Sequence, residues 1–355
     1  MKVNGISLIS MNELLKISKS DEISIIADKD LKLIVTSETF QIIRIIDADI
    51  VETGSIVISK DIVKTLGKTG FVTIADNIIS GKNRTVKLES TNQGLDFIEN
   101  DDFELVTTIE NDDFDNLVSG SYAVSKDEAR PILKGINFRI DYDSITTCAL
   151  DGYRMAVRKK RNILCNAECD FTVDKKTLEI AKRLKLDYRD LYISKEHIKL
   201  GTDKFYMVIK LMDGVFIKYD SLIVKEFKTS VKVDSKELLN LLKSYNSKHV
   251  EFDIGTEDGI KIKAQITKNK KRKVYKDGKY LEEIYQEPVA DVEDTIKCIW
   301  QGEPLKIVFN LEYFIDALKD KKEEIEIRFM GPVSPMDLIQ DDKYDLVLPI
   351  RIMGL

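Results

Sequence analysis

The chain has 355 residues, 43% of them hydrophobic, which excludes a disordered protein and supplies cores for two or three domains of ordinary size. Its 55 basic and 61 acidic residues give a net charge of −6, so the average surface repels nucleic acid, and any contact with it needs cations gathered on one face. The sequence has no membrane-length apolar run, and MKVNGISLISMNELL carries no signal-peptide pattern. Its four cysteines (Cys148, Cys165, Cys169, Cys298) are too few and too scattered for a disulfide framework, so the expectation is a cytoplasmic protein with reduced thiols and no membrane contact.

In chain order, one plan recurs three times. MNELLKIS opens the first section as a helix. IVISKDIVKTLGK then runs from an extended apolar stretch through a capping residue, Ser59, into an amphipathic helix that buries Ile62, Val63 and Leu66, and FVTIADNIIS alternates as strand. The second section repeats this with DDFDNLVSGSYAVS, with FTVDKKTLEIAKRLK (cap Asp174, apolar face Leu178 and Ala181) and with DLYISKEHIKL. The third does so with DSKELLNLLKSYNS, with IVFNLEYFIDALKD (cap Asn310, apolar face Phe314, Ile315 and Leu318) and with EIEIRFM. Each cap is a residue whose side-chain oxygen accepts from the free amides of a first helical turn. The plan predicts an α+β architecture of three tandem similar domains, residues 1–105, 106–228 and 229–355, each with two helices packed on antiparallel sheets, with breaks in ELVTTIENDD and VKEFKTSVKV. Periodicity does not say whether such an array closes.

Lysines recur at helical spacing: Lys60, Lys64 and Lys68 at four-residue steps, and Lys175 with Lys182 and Lys236 with Lys243 at seven. By spacing alone they are as consistent with a solvated polar face as with a phosphate-facing one. Seven Lys/Arg residues lie between Lys268 and Lys279 beside Tyr275, Tyr280 and Tyr285, and Asp277-Gly278 suits a tight turn. That segment, near 268–285, is either a basic hairpin that touches DNA or a charged edge that blocks sheet aggregation.

Catalytic machinery is not apparent. Asp101, Asp102, Glu104, Asp112 and Asp113 cluster as a metal-dependent nuclease would require, yet they read as a solvated acidic linker. Cys165 and Cys169 form C-x₃-C, but His197 and His249 lie at no zinc-site spacing from them, and no P-loop or G-x-S-x-G element occurs. The expectation is a non-enzymatic protein with no cofactor and no metal.

ARPILKGINFRIDYDSITTCALDGYRMAVRKK resembles the second domain of the bacterial DNA polymerase III β subunit, the sliding-clamp family. KLMDGVFIKYDSLI resembles that family's K-L-x-D-G-x-F-P-D-Y element, and YDLVLPIRIMGL its C-terminal ending. The chain departs from the family pattern at Tyr153 (usually His), Leu150 (usually Thr) and Ile217 (usually Pro). It has a short first domain, and ITKNKKRKVYKDGKYLEEIYQEP reads as an insertion.

The resemblance implies a DNA-clamp fold and a homodimeric ring around double-stranded DNA, held without regard to sequence. It also implies a tether for DNA polymerase and a separate clamp loader, each engaged through a short hydrophobic peptide. It turns Lys60, Lys64, Lys68, Lys175, Lys182, Lys236 and Lys243 toward DNA. It further implies a partner-peptide groove lined by Leu133, Leu150, Gly152, Tyr153, Arg154, Met155, Val347, Leu348, Pro349, Ile350 and Arg351, with Val224 a weaker candidate. In that reading Arg154 meets peptide carbonyls, and Val347 to Ile350 are either groove wall, core strand or both. A diverged clamp-like scaffold that binds proteins and not DNA is the alternative.

Overall fold

The structure is a computed structural model that describes residues 1–88, 101–256, 259–276 and 279–351. Chain contacts divide it into two units, residues 1–118, 135–145 and 160–215 in one and 119–134, 146–159 and 216–355 in the other.

In the first unit, α1 (Leu8–Ser18) and α2 (Lys60–Leu66) begin where polar side chains take over unpaired amides. The Ser7 hydroxyl accepts from Ser10 N at 3.2 Å and that of Ser59 from Ile62 N at 3.4 Å. An eight-stranded antiparallel sheet runs in the order Glu104–Glu110, Tyr188–Ile193, His197–Gly201, Phe205–Lys210, Phe40–Ile46, Leu31–Thr36, Glu22–Ala27 and Gly54–Ser59. The pairing of Phe205 with Arg44 and Ile209 with Phe40 joins strands of the first section to strands of the second. A second sheet holds Asp49–Glu52, Lys2–Ser7, Phe71–Ala75, Ile78–Ser80 and Thr85–Lys87. Central strands of the first sheet are buried on consecutive residues, as in Leu31 to Val35, whereas Phe71–Ala75 in the second alternates, with Val72 and Ile74 buried.

α3 (Asn111–Leu117) and α4 (Lys175–Ala181) also belong to the first unit, and Asp174 caps α4 by accepting from Thr177 N at 3.1 Å. The acidic segment read as a linker is ordered instead. Glu104–Glu110 pairs along Tyr188–Ile193, and Asp112 and Asp113 occupy the first turn of α3, where carboxylates complement the helix dipole. Asp113 also meets Lys160 at 2.7 Å, and Asp101 accepts from the Ser194 hydroxyl at 2.8 Å and contacts His197 Nδ1 at 2.7 Å.

In the second unit, α5 (Ser235–Ser244) and α6 (Leu311–Leu318) cover a core between two sheets. Neighbouring strands of one sheet run Ser144–Leu150, Arg154–Arg161, Lys343–Val347, Met336–Gln340, Glu324–Phe329, Thr229–Asp234, Ile299–Gly302, and the other sheet runs Lys279–Ile296, Gly259–Lys276, His249–Thr256, Leu305–Asn310. Leu238, Leu242, Phe314 and Leu318 from the helices pack on Val231, Phe252, Phe309 and Ile327. Phe252 stacks on Phe314 with centroids 4.8 Å apart.

Asp234 caps α5 at 2.8 Å and Asn310 caps α6 at 3.2 Å, so all three caps expected from sequence are present. Asn310→Ala is expected to lower stability by about 1 kcal/mol, read as a shift of the urea midpoint with an unchanged slope. A shift indistinguishable from zero would show that the cap does not hold α6.

Candidate functional site

The groove residues implied by the sequence lie in the second unit, around one apolar cluster. Leu133 reaches it from a short 3₁₀ turn (Pro131–Lys134), Cys148 and Leu150 from the strand Ser144–Leu150, and Met155 and Val157 from Arg154–Arg161. Leu346 comes from Lys343–Val347 and Tyr219 from a second 3₁₀ turn (Tyr219–Leu222). Ile132, Phe216, Ile223, Val224 and Tyr344 pack around it, half buried. Burial pushes the Tyr344 hydroxyl up to about 12, so it stays protonated while its oxygen accepts Val224 N at 3.1 Å.

Two strands set the wall. Arg154–Arg161 pairs antiparallel with Lys343–Val347, Arg154 opposite Val347 and Met155 opposite Leu346. Successive side chains point to opposite faces, so Leu346 enters the cluster while Val347 is buried in the core beneath α5 and α6. Of the two readings open for Val347, groove wall or core strand, the structure has it in the core, and its neighbour Leu346 joins the cluster. Leu348 is 37% exposed and donates its amide to Tyr153 O at 2.8 Å. Pro349 and Ile350 are half buried, Ile350 donates to Val308 O at 2.8 Å, and Arg351 is exposed.

The turn before Arg154 is held by one carboxylate: Asp151 Oδ1 accepts from Tyr153 N at 2.9 Å and from Arg154 N at 3.0 Å. Gly152 adopts φ +89° within it, a conformation that disfavours any side chain. Tyr153 is thereby presented to solvent, 62% exposed, with its ring 6.4 Å from that of Tyr313 on α6.

Arg154 is placed differently from the expectation that it meets peptide carbonyls. Its Nε donates to Asp151 at 3.0 Å and its Nη1 to Asp316 at 2.6 Å, and its guanidinium lies 4.2 Å from the centre of the Tyr313 ring. Burial alone would lower its pKa, but hydrogen bonds to Asp316 and Asp151 hold it above the ordinary arginine value. Arg154 thus braces the turn under Tyr153 and does not project into the groove.

Sequence reasoning missed Leu346, Tyr344, Tyr219, Tyr313 and Asp316. Asp316 carried a signal, as a carboxylate between Ile315 and Ala317 on the apolar side of a helix calls for a buried cation.

Of the lysines expected to face DNA, Lys60, Lys64, Lys175, Lys236 and Lys243 lie on helices and Lys182 caps the end of α4. Lys68 falls beyond α2, which ends at Leu66, so it does not continue the helical face of Lys60 and Lys64. Several pair with nearby acids, Lys60 with Asp21 at 3.3 Å, Lys64 with Asp61 at 3.1 Å, Lys175 with Glu179 at 3.9 Å and Lys182 with Asp115 at 3.6 Å. Lys68, Lys236 and Lys243 are exposed and make no ion pair among the described residues. The basic segment is a hairpin of two 18-residue strands, Gly259–Lys276 and Lys279–Ile296. The Asp277-Gly278 turn expected at its tip lies outside the described residues.

Known proteins resemble this chain throughout. The family profile described as DNA polymerase III beta subunit, central domain, matches residues 108–218, and that of its C-terminal domain matches 220–351. The beta sliding clamp of Bacillus subtilis is 28% identical over 239 residues, 65% of this chain, and the chain spans only 60% of that relative's length. That of Synechococcus elongatus is 24% identical over 296 residues, 78% of this chain and 74% of the relative. Two solved structures, the DNA polymerase sliding clamp of B. subtilis and the DNA polymerase III beta subunit of Thermotoga maritima, superpose with TM-scores of 0.80 and 0.81. They do so over 99% of this chain and at least 99% of theirs, at 23% and 20% identity, a likeness that establishes the fold.

Proposed function

We propose, since this chain belongs to the DNA polymerase III β-subunit family, that it is a DNA sliding clamp, a non-catalytic processivity factor. It forms a homodimeric ring of three-domain subunits (residues 1–105, 106–228 and 229–355) around duplex DNA in the cytoplasm and tethers polymerase and loader by short apolar peptides. The observation that carries this reading is the apolar cluster itself. Leu133, Leu150 and Met155 lie within the central-domain match and Tyr219, Val224 and Leu346 lie beyond its end, and all pack together, while Tyr153 and Leu348, adjacent in the chain to cluster strands, are exposed. An apolar cluster fed from both matched regions, with an exposed tyrosine and leucine nearby in sequence, suits recognition of an extended peptide by side-chain anchors.

Encirclement explains how a chain of net charge −6 handles DNA. A ring retains DNA by topology, so its phosphate contacts can be few, weak and exchangeable. Lys60, Lys64, Lys68, Lys175, Lys182, Lys236 and Lys243 are the proposed contacts. The ion pairs some of them make are exposed and worth roughly 0–1 kcal/mol, so passing phosphates displace them readily.

The test is retention. Protein loaded on a closed circle should remain bound at high salt and be released on linearisation, and its solution mass should be that of a dimer. Release from intact circles by salt alone, or a stable monomer, would overturn the ring.

A further inference from the structure

The hairpin is the largest feature that a ring and a groove leave unexplained. Its strands pair from Ile260 with Ile296 to Lys276 with Lys279, interrupted by one register shift between Ile266 and Thr267. Below that shift the ribbon is anchored, with Ile260, Ile262, Ala264 and Ile296 buried in the core. Beyond it, the ribbon extends roughly 27 Å from Thr267 to Tyr275 at about 3.4 Å per residue. Here Lys268 to Lys273, Tyr275, Tyr280, Leu281 and Ile284 are exposed, so neither face of this part is a core face.

A two-stranded ribbon with no face to bury is marginal in water and needs cross-strand pairs. Arg272 meets Glu283 at 2.8 Å, Lys271 meets Glu282 at 3.2 Å and Lys270 meets Glu287 at 2.5 Å, while Tyr275 packs edge-on to Tyr280 with centroids 5.0 Å apart. The cations outnumber their partners. Residues 268–287 hold seven basic and four acidic side chains, a net +3 in a chain whose total is −6. Lys268, Lys273 and Lys279 make no ion pair among the described residues.

Aromatic faces accompany that charge. Tyr275 is 63% and Tyr280 74% exposed, and Arg272 lies 5.2 Å from the centre of the Tyr285 ring. Unpaired cations interleaved with exposed rings are what binds single-stranded nucleic acid without sequence preference: phosphates take the cations and bases stack on the rings.

We propose that this arm binds single-stranded DNA through Lys268, Arg272, Lys273 and Lys279 and through the Tyr275–Tyr280 pair, apart from any strand threaded through a ring. Glu282 and Glu283 do not prevent this, because exposed ion pairs exchange readily for a phosphate. Charge complementarity and stackable rings distinguish a polyanion with bases from an apolar protein partner.

The experiment measures fluorescence anisotropy of the whole protein with a short labelled oligothymidylate at low and moderate salt. Such a strand cannot hold a threaded ring, so binding reads the arm and not encirclement. In the combined variant K268Q/K273Q/K279Q, affinity should fall about tenfold and the slope of log affinity against log salt by about 2. Tyr275→Ala and Tyr280→Ala should each weaken binding roughly fivefold or more. An arm-deleted protein, with residues 268–287 replaced by Asn-Gly, should bind no better than the combined variant while keeping the wild-type melting temperature, which guards against simple misfolding. Wild-type affinity in these variants, no binding by the unaltered protein, or equal competition by a duplex of the same length would overturn the proposal. Retention on circles, measured on the same variants, should be unchanged, so failure of the arm and failure of the ring are told apart.

Discussion

Asp345→Ala is expected to destabilise the protein by about 3–5 kcal/mol, a large part of the roughly 5–15 kcal/mol that holds a typical fold together. Asp345 is fully buried and accepts from Arg158 Nη2 at 2.9 Å, from Lys321 and from the Tyr122 hydroxyl, and the side chains of Arg158 and Lys321 are themselves inaccessible to solvent. Asp320 completes the network, 3.1 Å from Arg158 and 2.7 Å from Lys321. Two buried cations share two carboxylates, so deleting one carboxylate strands a charge where water cannot reach it. Urea unfolding measures the loss. A change below about 1 kcal/mol would mean that solvent or Asp320 compensates, and that the network does not tie Arg154–Arg161 to Lys343–Val347.

The same network sets an acid limit. Burial alone would raise the Asp320 carboxyl, but Arg158, Lys321 and Lys343 hold it well below the ordinary carboxylate range. Its folded pKa therefore lies below its unfolded one, near 3.9. The stability this gives is complete above about pH 4 and is lost as pH falls through the folded value. Asp320→Asn should lower stability at neutral pH and flatten the fall toward acid. A parallel fall in both proteins would exclude Asp320 as the responsible group.

The parts of this architecture carried by local chemistry were readable from the sequence. Ser59, Asp174 and Asn310 each stand before a helical apolar pattern, and each accepts the expected amide. The clamp fold followed from RPILKG, LDGYRM and VLPIR in order, and the solved structures bear it out. What sequence left out depends on register between distant strands. Which of Leu346 and Val347 faces the groove is undetermined until Met155 is known to lie opposite Leu346, because a shift of one residue exchanges the faces. The acids opposite the hairpin cations, Glu282, Glu283 and Glu287, likewise become partners only through strand pairing. Asp101 to Asp113 looked like solvated charge because clustering of acids says nothing of the strand partner at Tyr188–Ile193 that pairs Glu104–Glu110, of the Ser194 and His197 contacts of Asp101, or of the helix that Asp112 and Asp113 begin.

Leu348→Glu is expected to weaken binding of a fluorescent apolar clamp-binding peptide by about 30-fold or more, the effect of losing a hot-spot contact worth roughly 2 kcal/mol. Leu133, Leu150, Met155 and Leu346 form the floor of the proposed groove and are each less than 10% exposed, so altering them confounds binding with folding. Leu348 and Tyr153 are exposed rim residues, joined by the 2.8 Å amide bond from Leu348 to Tyr153 O. A docked peptide removes water from Leu348, and a carboxylate there would be desolvated without a partner. In the free protein the same carboxylate stays hydrated, so melting temperature and dimer mass should not change. Arg154→Gln should behave in the opposite way. It removes the cation between Asp151 and Asp316, and so it should lower stability while affecting the peptide only through the loosened turn under Tyr153. Undiminished peptide affinity in Leu348→Glu would place the partner site elsewhere on the molecule, whatever became of the ring.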